Sequence, residues 1–204
     1  GMLNRMVLYV TALMEVKSSM GIIVAAPTAG SCGALPGACL AAGETMGWSD
    51  ETIARGMLAA GLIGIFVTAR SSFAAEITGC QGETGVGAAM AAAALVDMHG
   101  GSVNQALAAA SMALQNTLGL VCDPVANRVE VPCLGRNISA AANALTSANV
   151  ALADFAEVIP LDEVIATHNT IGRSLPRELR CTCLGGLSIT ESAKKIELQL
   201  AQTD

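Results

Sequence analysis

Apolar positions recur every three to four residues along most of the chain, and no stretch alternates apolar and polar residues two by two. Residues 3–19 carry Met6, Tyr9, Val10, Leu13 and Val16 at helical spacing. A turn-rich loop at residues 25–33 opens a second helix over residues 34–43. Ser49, followed by Asp50 and Glu51, supplies a capping hydroxyl and two acids for the positive end of a helix reaching residue 71. The Gly-rich junction 79–85 leads into an Ala-rich helix ending near Met98, where Gly100 and Gly101 stop it. Ser102 with Gln105 three residues on forms a capping box that starts a helix reaching about residue 118. Residues 137–155 and 162–172 predict two more helices, with boundaries at Pro160 and Pro176, and residues 190–201 a last amphipathic one. The pattern predicts one compact all-α domain over residues 1–204, its central helices apolar nearly all round and therefore buried.

Composition sharpens this picture. The chain is 52% hydrophobic but only 2% aromatic, so its core must be closed by small side chains and close helix approach, not by large rings. A net charge of −6 provides no basic stripe for phosphates and excludes nucleic acid as partner. A mean hydropathy of +0.54 raises the question of a membrane. Residues 56–69 are uncharged but bracketed by Arg55 and Arg70, and residues 18–43 are interrupted by Pro27, Gly30, Pro36 and Gly37. Neither stretch gives the run of about 20 apolar residues that a span needs, and no secretory signal opens the chain. The expectation is a soluble cytoplasmic protein. Seven cysteines, an odd number, then read as free thiols, metal ligands or redox groups, not as a disulfide framework.

Polar chemistry is scarce. With only His99 and His168, a mixed Cys and His zinc site is poorly supported. His99 beside Gly100 reads as a surface residue at a helix end, and His168 as a packing or surface residue. Cys181 and Cys183 form the one close cysteine pair. Cys80, Cys122 and Cys133 stand apart because each lies in a turn-rich segment, where thiolates are free to converge on one metal centre. Three small buried cysteines under loops would look the same, and spacing alone leaves both readings open. Cys39, inside an apolar helix, is a core residue, whereas Cys32 fits either reading; Asp123 and Glu130 read as supports of the loop. The segment PTAGSCGALPG places small residues before a helix start, an arrangement that directs backbone N–H groups at an anion such as a carboxylate. Tight turns between helices demand the same glycines.

Four segments, APTAGSCGALPG, GCQGETG, GLVCDPVANRVEVPCLGRN and Gly185-Gly186-Leu187, together resemble the α chain, or catalytic domain, of iron–sulfur-dependent bacterial L-serine dehydratase. The resemblance runs from about Glu15 onward, and its CDPV…VPC…RN block is the most specific part. It implies an all-helical domain holding a [4Fe–4S] cluster on Cys80, Cys122 and Cys133. Three ligands leave one iron open to act as a Lewis acid on the β-hydroxyl of serine, giving pyruvate and ammonia without pyridoxal phosphate. It also implies that Thr28, Gly30, Ser31 and Gly33 hold the carboxylate of a small amino-acid substrate, with Arg136 and Asn137 as further contacts to substrate or cluster.

The same resemblance implies what is missing. The family completes its site with a β chain or β domain, which is expected to supply the catalytic base, and part of the α chain normally precedes the first helix. An oligomer containing that partner is the expected assembly. Cys181 and Cys183 match no ligand of the family and read as an alternative ligand or a redox pair. Two other functions fit the same residues: a cluster-dependent lyase acting on cysteine or another β-substituted amino acid, and a helical subunit that scaffolds a partner without a cluster.

Overall fold

The computed structural model describes residues 1–128 and 130–202, with Glu130 through its backbone alone. Nine α-helices run through these residues: α1 (Met2–Ser18), α2 (Ala34–Met46), α3 (Asp50–Arg70), α4 (Ala75–Thr78), α5 (Val86–Met98), α6 (Val103–Gln115), α7 (Gly135–Leu152), α8 (Leu161–Ser174) and α9 (Glu191–Leu200). No strand occurs among the described residues, and the only extended pairing is an isolated bridge between Cys122 and Arg180. The protein is all-α, as the apolar period predicts.

Helix α5 forms the axis of the fold. Every residue in it except Asp97 is buried, and α2, α3, α6 and α7 pack around it. Alanine makes this possible, since a methyl group lets a neighbouring helix approach closely at little cost in side-chain entropy. Two caps fall where the sequence places them: Ser49 accepts the Thr52 N–H at 3.2 Å, and Ser102 and Gln105 form the capping box. Thr190, read only as the start of the last helix, is its cap and accepts the Ala193 N–H at 3.3 Å.

The structure corrects several boundaries. Helix α2 continues past Gly43 to Met46, because Gly43 is a contact point for Ile53 of α3 and not a stop. Helix α6 ends at Gln115 and α7 at Leu152, each three residues before the expected end. The single turn of α4 was too short to show a period. Helix α3 spans the predicted residues, Arg55 included, and over its 21 residues it is long and apolar enough to cross a membrane by length and composition, although Arg55 and Arg70 bracket its uncharged stretch. It buries Gly56, Ala60, Ile63, Gly64 and Val67 but leaves Leu58, Leu62, Ile65 and Phe66 exposed. Burial all round therefore holds for α5 and fails for α3.

Two wide turns matter for the site. Residues Gln81–Gly85 form a π-helical turn running straight into α5, in which the Val86 N–H bonds back five residues to the Gln81 carbonyl. A second such turn, Glu130–Leu134, leads into α7. What reads as loop around Cys80 and Cys133 is thus the first turn of two core helices.

Candidate functional site

Cys80, Cys122 and Cys133 are all free and buried. Cys80 stands immediately before the first wide turn, its Sγ 3.2 Å from Thr84 Oγ1. Cys133 lies within the second. Cys122 is fixed by its backbone, donating its N–H to the Leu179 carbonyl at 2.9 Å and accepting the Cys181 N–H at 2.8 Å. Cys80 and Cys122 share a small apolar cluster with Ala75, edged by Leu120 and Cys181.

The electrostatics tie the third cysteine to Cys80. Burial pushes the Cys133 thiol up to about 12, and the neighbouring Cys80 adds to the shift. Burial likewise raises Cys80. The Cys122 thiol is raised because it donates a hydrogen bond to Cys181, and Cys181 is lowered by accepting it. Among the described residues no three Cys, His, Asp or Glu side chains converge as a single metal ion requires.

Asn137 joins the Cys133 turn to the Gly-rich loop. Wholly buried on α7, it accepts the N–H groups of Gly33 and Ala34 at 3.2 and 3.1 Å through Oδ1. Its Nδ2 donates to the carbonyls of Gly30 and Cys133, both at 2.9 Å. All four of its hydrogen-bonding positions are used. Within the loop, Thr28 Oγ1 accepts the Ser31 N–H at 3.2 Å, and the buried Ser31 hydroxyl has no partner. Gly33 and Asn137 thus meet directly, whereas Thr28 and Ser31 build the turn in front of them.

Arg136, one residue earlier, faces the other way. Its guanidinium donates to the Val121 carbonyl and to Asp123 Oδ1, each at 2.8 Å. Burial works against its charge, but Cys80, Asp123 and Cys133 outweigh burial and hold the guanidinium ionised more firmly than usual. The other oxygen of Asp123 accepts the Leu187 N–H at 2.8 Å. Gly186 is obligatory beside it: its φ is +60°, and a methyl there would strike the Asp123 carboxylate. One carboxylate therefore binds together the Cys122 segment, α7 and the Gly-Gly-Leu turn. Asp123 supports the loop as expected, while the side chain of Glu130 lies outside the described residues.

Several residues were not legible as part of this neighbourhood. Glu83, in the wide turn after Cys80, accepts a 2.7 Å hydrogen bond from the Thr28 hydroxyl. Gly30 lies against this carboxylate, and a methyl there would force the end of the Glu83 side chain to shift. Burial raises the Glu83 carboxyl above its ordinary range. Gln81 donates to the His168 carbonyl at 2.6 Å and accepts the Gly119 N–H at 2.8 Å, tying α8 to the segment before Cys122. His168 is a packing residue, wholly buried with its Nδ1 2.8 Å from the Ser71 hydroxyl. Cys39 is core, and Cys32 joins it, its thiol 3.7 Å from the Met14 sulfur. Cys183 sits apart, 3.7 Å from the Pro124 carbonyl. A cavity of about 560 Å³ is lined by Thr84, Thr117, Arg136, Ser139 and Asn143, and the Gly-rich loop is not among its walls.

Comparison with known proteins bears on this arrangement. Residues 1–188 match the family described as serine dehydratase alpha chain. The L-serine dehydratase, alpha chain, of Peptoniphilus asaccharolyticus is 48% identical over 182 residues, 89% of this chain and 62% of that protein. The probable L-serine dehydratase, alpha chain, of Latilactobacillus sakei is 45% identical over 193 residues, 95% of this chain and 92% of the other. L-serine dehydratase TdcG of Escherichia coli (strain K12) is 40% identical over 185 residues, of which this chain spans 40% of the length.

Proposed function

The chain belongs to the serine dehydratase alpha chain family, and from that premise we propose that it is the cluster-bearing chain of an L-serine dehydratase. The observation that carries this reading is that three free, buried cysteines stand at the starts of two core helices and on the segment between them, Cys80 sharing a small cluster with Cys122 and acting electrostatically on Cys133. Three mutually repelling thiolates in apolar surroundings need a cationic partner to ionise together. A four-iron cluster presents its metal ions at separate corners, so its thiolates stand further apart than those around a single ion. The donor set therefore fits a [4Fe–4S] cluster on Cys80, Cys122 and Cys133.

When bound, such a cluster supplies an iron with an open position, a Lewis acid for the β-hydroxyl of serine. The chain's own residues do the rest of the positioning. Asn137 holds the Gly-rich loop at a fixed distance from the Cys133 turn. Thr28, Gly30, Ser31 and Gly33 form the carboxylate-binding side of the site, with the Thr28 hydroxyl acting through the shape of the loop. Arg136 stabilises the thiolates by its charge while Asp123 fixes its orientation. The base that takes the α-proton is assigned to a partner β chain. Loss of water from L-serine leaves aminoacrylate, which hydrolyses to pyruvate and ammonia.

The test is anaerobic reconstitution followed by iron and sulfide analysis, then pyruvate formation from L-serine, L-threonine and L-cysteine with the β chain present. Close to four irons per chain and preferred turnover of L-serine are expected. A chain that takes up no iron is a helical scaffold, and preferred turnover of cysteine moves the activity to a different β-elimination.

A further inference from the structure

Glu83 is a carboxylate for which the site as described has no use. It reaches the Gly-rich loop at Thr28, 55 positions away in the chain. Its surroundings are poor in cations. Among the described residues it has no ion-pair partner, and its one hydrogen bond comes from the neutral Thr28 hydroxyl on Oε1. Arg136, whose charge reaches Cys80 and Cys133, is already committed to Asp123. Lys17 acts on Glu83 only from beyond ion-pair distance, while Glu76 adds negative charge nearby. The one hydrogen bond to the carboxylate falls on Oε1, and Oε2 is not among the buried atoms left without a partner.

A half-buried carboxylate kept beside further negative charge is unfavourable unless something positive arrives. The proposed substrate brings one cation, its α-ammonium. That group shares a carbon with the carboxylate, so its receptor must adjoin the loop that takes the carboxylate. Glu83 adjoins that loop, touching it at Thr28 and Gly30.

We propose that Glu83 is the receptor for the substrate's α-ammonium group and confines the site to free α-amino acids. The inference rests on the L-serine dehydratase reading above. Thr28 then has a defined part: its hydroxyl hydrogen goes to Oε1, which leaves Oε2 for the ammonium. A 2-hydroxy acid or a simple carboxylic acid offers no cation and leaves Glu83 charged and unpaired, which is a strong basis for rejecting it.

The experiment uses the cluster-loaded chain with its β partner, as wild type and as Glu83→Gln. Glutamine still accepts from Thr28, so the loop is preserved, and equal iron content and circular dichroism check this. Three ligands are compared: L-serine as substrate, L-alanine as a competitor with an ammonium group, and 3-hydroxypropanoate as a competitor without one. The variant should show a 10- to 100-fold higher KM for L-serine, with kcat changed only a few-fold, as roughly expected for losing one hydrogen bond to a charged group. The inhibition constant of L-alanine should rise in parallel, and 3-hydroxypropanoate should bind no more weakly than before. A collapse of kcat at constant KM overturns the proposal, as does equal weakening of both competitors or loss of iron. If the unaltered complex neither binds nor turns over L-serine, the parent reading fails first, an outcome distinct from all of these.

Discussion

The side-chain oxygen of Asn137 receives the backbone N–H of Gly33 at 3.2 Å, linking two residues 104 positions apart in the chain. With the bond from Ala34 it takes over the work of an N-cap for α2, whose preceding residue, Gly33, has no side chain to do so. The start of α2 is therefore secured from another helix.

Replacing Asn137 by alanine strands two N–H groups and two carbonyls in a dry interior. The expected loss is about 2–4 kcal/mol of unfolding free energy, read from urea melts of the cluster-free chain. A loss well under 1 kcal/mol would mean that the loop does not depend on this side chain.

Serine in place of Cys80, Cys122 or Cys133 should each abolish uptake of a complete cluster on anaerobic reconstitution, with iron and sulfide falling together. Cys39→Ser is the control. That thiol is wholly buried within α2, inside an apolar helix and away from the turns that carry the other three, so it does not have the location of a ligand. Iron loss in the control alone would refute the assignment.

The core around α5 is made of apolar contacts that need no metal, unlike that of a zinc finger. Cluster-free protein should therefore keep its helix content by far-UV circular dichroism, and reconstitution should raise the melting temperature only modestly. Collapse of helicity in the cluster-free form would show that the metal is required for folding.

Glu83 gives a pH dependence whose sign can be worked out. Burial raises its carboxyl above 4.5, so at higher pH the native chain carries a charge it disfavours. As the pH falls through the raised native value toward 4.5, the native state takes up its proton before the unfolded chain does, and the penalty vanishes. Glu83→Gln should thus melt above the wild type at pH 8, with the gap closing as the pH approaches 5. A gap independent of pH would point to packing instead of charge.

The helices were readable because each rests on local information. Ser49, Ser102 and Thr190 cap the helices they precede, and the alanines of α5 announce close packing wherever they are placed. The three cysteines were singled out by their turn-rich settings, although only the family resemblance favoured them as ligands. Glu83 was quoted within GCQGETG and passed over, since its meaning comes from Thr28, which no local pattern connects to it. Cys181 stands out in the sequence only as the neighbour of Cys183, since its hydrogen bond with Cys122 depends on a backbone pairing between distant segments. The exposed face of α3 was missed because an apolar residue looks the same in a core and on a surface.

The π-helical turn at Gln81–Gly85 has a consequence for how this chain can change over time. Such a turn holds one residue more than the α-helix it continues. Deleting any one of the five would let α5 wind regularly through the gap, turning everything before it by about 100° and shifting it by about 1.5 Å. Since α5 is gripped on every side, the rotation would fall on Cys80, carrying its sulfur out of phase with Cys122 and Cys133. The surplus residue is a phase setting. The length of this turn cannot drift, whatever its side chains do, and a single-codon deletion here would leave a well-folded helical protein with its cysteines no longer in step.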